Sequence, residues 1–204
     1  MIETIAFDFG RVLGFFDHGR TLAKLVGHTD MTAREMYEEI YCGALEDDFE
    51  SGRISDAEFL RRFRTQCRLS CDDTYLAAAI ADIFWPNEAL CALVPRLKER
   101  YRLVVGSNTN PIHARHFGSQ FADLLRHFDV LVLSHEIGVR KPRPEFFRHL
   151  VKASGSSAER CIFIDDLPAN VAGARACGLQ GIVYTEIEPL CEALRQLGVD
   201  VTSA

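Results

Sequence analysis

Asp8 stands at the end of an apolar run, Ile5-Ala6-Phe7, and Gly10 follows two residues later. Ser107 and Asn108 end a second such run that begins at Arg102. Asp165 and Asp166 end another that begins at Arg160, with Asn170 close behind. Lys141 lies in a polar stretch between Ser134 and Pro142. Singly these residues decide nothing, because an Asp at a strand end commonly does no more than cap a turn. Together they define a chemistry. Clustered carboxylates repel one another and call for a cation, and a small set of hard oxygen ligands suits Mg2+. A carboxylate can also attack phosphorus and carry it as an aspartyl-phosphate. Lys141 would neutralise both that nucleophile and the phosphoryl oxygens, while Ser107 and the neighbouring backbone N–H groups hold the rest. Positioning and charge neutralisation supply most of the rate in phosphoryl transfer.

The fold has to bring these distant residues together. Short apolar runs read as strands over 3–8, 102–107, 129–133, 160–164 and 181–184. Helical spacing fills the intervals: Leu90, Leu93, Val94 and Leu97 fall at i, i+3, i+4 and i+7, with Asn87 placed to cap that helix. A helical region after Pro111 ends near Arg126, Pro144 opens a helix to about Ala153, and Pro168 starts another. In the last, Gly173, Ala174 and Ala176 permit close approach to a sheet. The final helix covers about 187–197. Alternating strand and helix implies right-handed crossovers and a Rossmann-like parallel sheet flanked by helices. Parallel strands present their carboxyl ends on one edge, so Asp8, Ser107, Asn108, Asp165, Asp166 and the Lys141 loop converge there.

Residues 18–85 read differently. Gly14 to Asp17 links out of the sheet, and no strand is evident beyond it. Thr32 with Glu35, and Ser55 with Glu58, fit the capping box, and Asp72-Asp73 opens a helix to about Phe84. The turn at Glu50-Ser51-Gly52-Arg53 is the clearest break. The expected organisation is an α/β core of residues 1–17 and 86–204 with an all-helical insert, a candidate second lobe, at 18–85.

Hydrophobic residues make up 48% and charged residues 25% of the 204, which is ordinary globular composition with room for a good core. The formal net charge of -6 argues against nucleic acid or an anionic membrane as partner. The only basic cluster, Arg61-Arg62-Phe63-Arg64, sits in a helical pattern as a solvated face. The seven cysteines are odd in number and lack a CxxC, which fits reduced thiols rather than a disulfide frame. No run reaches transmembrane length, and the N-terminus lacks the charged and apolar segments of a secretory signal. A cytoplasmic protein is expected, monomer or homodimer.

The motifs resemble those of the haloacid dehalogenase (HAD) superfamily of hydrolases along essentially the whole chain. Phe-Asp-Phe-Gly-Arg-Val, Ser-Asn-Thr-Asn, Leu-Ser-His-Glu-Ile-Gly-Val-Arg-Lys-Pro and Phe-Ile-Asp-Asp are similar in wording to its bacterial α-glucose-1-phosphate phosphatase branch. The resemblance implies Asp8 as nucleophile and Lys141 as its catalytic partner. It implies Ser107, Asn108 and Lys141 as phosphate contacts. Asp8, the Gly10 carbonyl, Asp165 and Asp166 would surround Mg2+, Asn170 would support them, and 18–85 would form a helical cap of the C1 type. The implied substrate is a small phosphorylated metabolite, a sugar phosphate among the options. One position departs from the pattern: family phosphatases usually carry a second Asp, a general acid and base, where this chain has Gly10. Such a group is worth roughly 10²–10⁴-fold in rate. Water, a cap residue, Asp17 or His18 are the replacements in view, unless the substrate's leaving group needs little protonation. Two other readings stay open. One is a metal-independent 2-haloacid dehalogenase, against which the paired acids Asp165 and Asp166 argue. The other is a non-catalytic metabolite-binding protein. Arg11 points either to substrate or to solvent. Asn170 orients Asp166 or Lys141, or caps a helix. His113 and His116, at i and i+3, read as helix surface for want of a third metal ligand. The turn Glu50–Ile54, with Arg53, is the expected reach of the cap toward substrate.

Overall fold

The computed structural model describes residues 1–201. Five parallel strands form the sheet: β1 (Thr4–Phe7), β4 (Arg102–Ser107), β5 (Val130–Leu133), β6 (Cys161–Asp165) and β7 (Gln180–Val183), in the order β5-β4-β1-β6-β7. Because the side chains of a strand alternate between faces, Ile5 and Phe7 enter one apolar cluster while Ala6, between them, enters the other. The first cluster packs against α6 (Glu88–Lys98), α7 (Pro111–Gln120) and α12 (Ile187–Gln196), through Leu90, Phe117 and Leu194 among others. The second packs against α10 (Pro144–Ser154) and α11 (Pro168–Ala176), through Phe147 and Ala174. The chain leaves β1 toward β4 on one side and later returns to β6 on the other. β1 and β6 therefore flank the point where strand order reverses, the crevice in which such sheets bind ligands.

Five helices lie between β1 and β4 ahead of α6: α1 (His18–Leu25), α2 (Ala33–Tyr41), α3 (Ala44–Glu50), α4 (Asp56–Gln66) and α5 (Asp73–Ala81). They enclose their own apolar cluster, with Met36, Phe49, Phe63 and Leu76 at its centre. Thr32 and Glu35 form both halves of the capping box at α2. Ser55 forms only its half at α4, because the Glu58 carboxylate turns to Arg61 and Arg62 instead.

The structure departs from the sequence expectations at several points. The insert is not purely helical at its ends: β2 (Gly14–Phe16) pairs antiparallel with β3 (Phe84–Pro86), so α5 stops at Ala81 and a two-stranded ribbon carries both crossings. Asn87 does not cap α6 with its side chain; its amide is buried and donates to the Val12 carbonyl at 2.8 Å and the Tyr184 hydroxyl at 2.7 Å. The region after Pro111 divides into α7 and α8 (Ala122–Leu125), and the stretch from Ser134 holds a helical turn, α9 (Ser134–Ile137). Gly173 approaches not the sheet but the Pro142 carbonyl, which a Cβ there would meet at 2.7 Å. All seven cysteines are free thiols. No helix among the described residues is long and apolar enough to cross a membrane.

Candidate active site

Asp8 follows β1 directly, and its N–H donates to the Ile164 carbonyl of β6 at 2.8 Å. That bond extends the ladder by one residue and fixes the carboxyl at the reversal point. Asp8 Oδ1 accepts from the Phe9 N–H at 2.6 Å and lies 2.7 Å from Lys141 Nζ. Lys141 Nζ also donates to Asp165 Oδ2 at 2.8 Å. The lysine side chain is only 1% exposed, so this is a buried ion triad rather than a surface pair. Asp165 is saturated: Oδ1 takes the Leu167 N–H at 2.9 Å, and the Asn170 amide lies 3.0 and 3.1 Å from its two oxygens. Asn170 thus orients Asp165, which in turn holds Lys141. Asn108 serves the lysine differently. Its side-chain oxygen accepts the Lys141 N–H at 2.8 Å and its amide donates to the Lys141 carbonyl at 3.1 Å, clamping the backbone that aims the ammonium. Ser107 is buried at the end of β4 and lines the same cavity, as do Gly10, Asn108 and Asp166.

The charges in this group do not balance. Burial pushes the Asp8 carboxyl up to about 7, Lys141 pulls against that, and Asp165 adds to it. Burial, and then Asp165, also raise Asp166. One oxygen each from Asp8, Asp165 and Asp166 lie within 4.8 Å of one another. Three carboxylates facing a single ammonium, all with oxygen donors, have the composition of a hard divalent-cation site.

Gly10 has a local reason. A Cβ there would meet the Phe16 ring at 2.9 Å, so the position a second aspartate would occupy is filled by an aromatic edge from β2. Arg11, in the left-handed region at φ 58°, is exposed, lines the cavity and holds its guanidinium 5.4 Å from that same ring.

The insert supplies the opposite wall of a cavity of about 260 Å³. His18 of α1 and Glu46 and Glu50 of α3 line it, with Arg140 from the loop before Lys141. Arg140 pairs with Glu50 at 2.8 Å and Asp47 at 2.7 Å, joining core to insert. Ser134 donates to the Glu50 carbonyl at 2.6 Å. Gly52, at φ 64°, lies so close to the His135 carbonyl that a Cβ would overlap it. Of the expected turn Glu50–Ile54, Glu50 alone lines this cavity. Arg53 pairs with Asp47 and Asp48 on the partly exposed flank. His113 is buried, not on the helix surface: its ring nitrogens face the Asn110 amide at 2.9 Å and the Ile80 carbonyl at 3.2 Å, and burial lowers it to about 3. Asp17 accepts from the Gly19 N–H as the cap of α1 and does not line this cavity. Sequence alone assigns Glu46 and Arg140 no role and His113 only a place on the helix surface. The signal available for Glu46 was its place four residues before Glu50 on one helix face.

Residues 19–178 match the haloacid dehalogenase-like hydrolase family. The chain belongs to that family. Among the proteins it is similar to is a D-ribitol-5-phosphate phosphatase of Bacteroides thetaiotaomicron, 26% identical over 189 residues that cover 88% of this chain and 90% of the relative. A predicted HAD-like hydrolase of Porphyromonas gingivalis superposes with a TM-score of 0.82 at 26% identity, covering 98% and 99% of the two chains. A HAD family enzyme of Bacteroides thetaiotaomicron, in complex with magnesium and inorganic phosphate, superposes with a TM-score of 0.79 at 23% identity, covering 91% and 95%. The HAD-like fold of this hydrolase thus extends over nearly the whole described chain.

Proposed function

We propose that this hydrolase is a Mg2+-dependent phosphatase of small phosphorylated metabolites, working through an aspartyl-phosphate on Asp8. The observation that carries the reading is the buried Asp8–Lys141–Asp165 triad, at 2.7 and 2.8 Å, beside the third carboxylate of Asp166. The ribitol-phosphate phosphatase relative supports a phosphate ester as substrate, and the magnesium–phosphate complex of the fold neighbour supports the cation. Asp8, Asp166 and the Gly10 carbonyl would hold Mg2+, with Asp165 behind them. When bound, the ion neutralises the phosphoryl oxygens and the excess carboxylate charge.

This chain's own groups do the rest. Lys141 keeps Asp8 in place and counters the negative charge of the incoming group. Ser107 and the backbone at Asn108 face the phosphoryl oxygens. Asp8 attacks phosphorus, the bond to the leaving oxygen breaks, and water then releases phosphate from Asp8. Residues 18–85 act as the cap that closes the cavity and excludes water. The polar wall of His18, Glu46, Glu50 and Arg140 favours a hydroxyl-bearing leaving group such as a sugar or polyol phosphate.

The test is a panel of phosphorylated metabolites with Mg2+, run beside Asp8→Asn and beside EDTA. Turnover is expected in the wild type, absent in Asp8→Asn, lost with EDTA and restored by Mg2+. Chloride release from a 2-haloacid that ignores EDTA would instead establish a dehalogenase, and ligand affinity with no turnover in any arm would establish a binding protein.

A further inference from the structure

A phosphatase needs a proton at the leaving oxygen, and Gly10 cannot supply it. Nor can a side chain be added there without displacing Phe16. A side-chain donor would therefore have to come from elsewhere on the cavity wall. Asp17 is committed to the first turn of α1 and does not line the cavity. Glu50 is committed to Arg140 at 2.8 Å. His18 lines the cavity, but burial holds its imidazole down to about 4, so it carries no spare proton at neutral pH.

Glu46 remains. Its side chain is 22% exposed, lines the cavity that Asp8 lines, and makes no hydrogen bond among the described residues. The groups facing it are His18 of α1, with Nε2 at 3.9 Å, Tyr41 of α2, Asp47 and Glu50 of its own helix, and Arg140 of the core loop. Arg140 is already shared between Asp47 and Glu50, which leaves Glu46 without a full counter-charge. Burial first, and Glu50 next, push its carboxyl up to about 8. Its carboxyl is thereby biased toward the protonated form, and it lines the same cavity as the nucleophile.

We propose that Glu46 is the general acid and base of this site, standing in from the cap for the carboxylate that position 10 lacks. The assignment rests on the phosphatase reading above. In the first half-reaction Asp8 bonds to phosphorus, the phosphorus–oxygen ester bond breaks, and the Glu46 proton passes to the leaving oxygen. In the second, the Glu46 carboxylate takes a proton from the attacking water. The Asp8–phosphorus bond breaks, and both carboxyls return to their starting states.

The experiment compares Glu46→Gln with the wild type on two esters: the alkyl phosphate that the wild type turns over fastest, and p-nitrophenyl phosphate, whose leaving group needs no proton. With the alkyl ester, kcat is expected to fall by roughly 10²–10³-fold while KM stays within about threefold, the scale of losing a general acid. With p-nitrophenyl phosphate the first equivalent of nitrophenolate appears at close to the wild-type rate. It is followed by slow turnover, a burst matching the enzyme concentration, with phosphate retained on the protein by intact mass. The alkaline limb of the wild-type alkyl-ester pH profile disappears in the variant. Equal losses on both esters without a burst, or unchanged alkyl turnover, would overturn the assignment, a circular dichroism spectrum identical to the wild type showing that the fold is intact. If the wild type hydrolyses neither ester, the phosphatase reading itself fails. A wild type that is active and dies with Asp8→Asn, alongside an indifferent Glu46→Gln, condemns the Glu46 role alone.

Discussion

Two acidic clusters line the one cavity, and they are built on opposite terms. At the sheet edge, Asp165 is saturated by Lys141, Asn170 and a backbone N–H, and Asp8 is held by Lys141 and Phe9. On α3, Asp47 and Glu50 share Arg140 while Glu46 takes no hydrogen bond. In the first cluster the orientations of Asp8 and Asp165 are fixed by bonds the folded chain already makes. The second keeps one carboxyl in reserve. Preorganised charge belongs where the same phosphoryl group always arrives, and an uncommitted group belongs where leaving groups vary.

The contrast can be broken from the sheet side first. Lys141→Met removes the ammonium from between two buried carboxylates. Breaking such a pair costs about 3–5 kcal/mol, and at about 2–4 °C per kcal/mol for a chain of this size a differential scan should show Tm lower by roughly 10 °C. Turnover should vanish with it. An unchanged Tm would mean that the triad is not rigid. Asn170→Ala leaves Lys141 in place but strips the amide from Asp165. An unsatisfied buried acceptor costs about 1–3 kcal/mol, so urea midpoints should fall and kcat should drop by about tenfold, with KM less affected.

On the side of the helical insert the effects become pH-dependent. Glu46 has its folded pKa raised from 4.5 to about 8. Between those values the unfolded chain has released this proton and the folded chain has not. Folding therefore takes up a proton, and stability falls as pH rises through that window. Gln cannot ionise, so the Tm of Glu46→Gln relative to the wild type should be smallest near pH 5 and climb steadily toward pH 9. Smallest of all is Arg53→Ala. Its pairs with Asp47 and Asp48 are partly exposed and contribute under about 1 kcal/mol. KM should hold across substrates, because the side chain is not on the cavity wall. A substrate-selective change in KM would restore the turn's expected reach and blur the comparison.

The same two regions differ in how far they could be read in advance. Strands such as Arg102–Ser107 announce themselves as unbroken apolar runs because a parallel sheet buries both faces. Their ends name Asp8, Ser107 and Asp165, and the parallel topology requires those ends to meet. Thr32 and Glu35 announce α2 for an equally local reason. The cap wall had no such signal. Arg140 meets Asp47 from 93 residues away, and no local spacing encodes that. The ribbon of β2 and β3 escaped because three residues are too few to display an alternation. Asn87 was assigned to α6 by its type, yet its amide is drawn to Val12 and Tyr184 by buried acceptors that only the tertiary fold supplies. His113 reads as surface for a related reason: the Ile80 carbonyl that faces its ring comes from 33 residues away, although Asn110 is the cap of its own helix.

The Phe16 ring against Gly10 makes the missing aspartate hard to recover. Placing a carboxylate at that position by one substitution would bring its Cβ to 2.9 Å from the Phe16 ring, which would have to shift or shrink in the same step. With position 10 closed to a carboxylate, a change of leaving group would be met by residues of the insert that line the cavity rather than at the sheet edge.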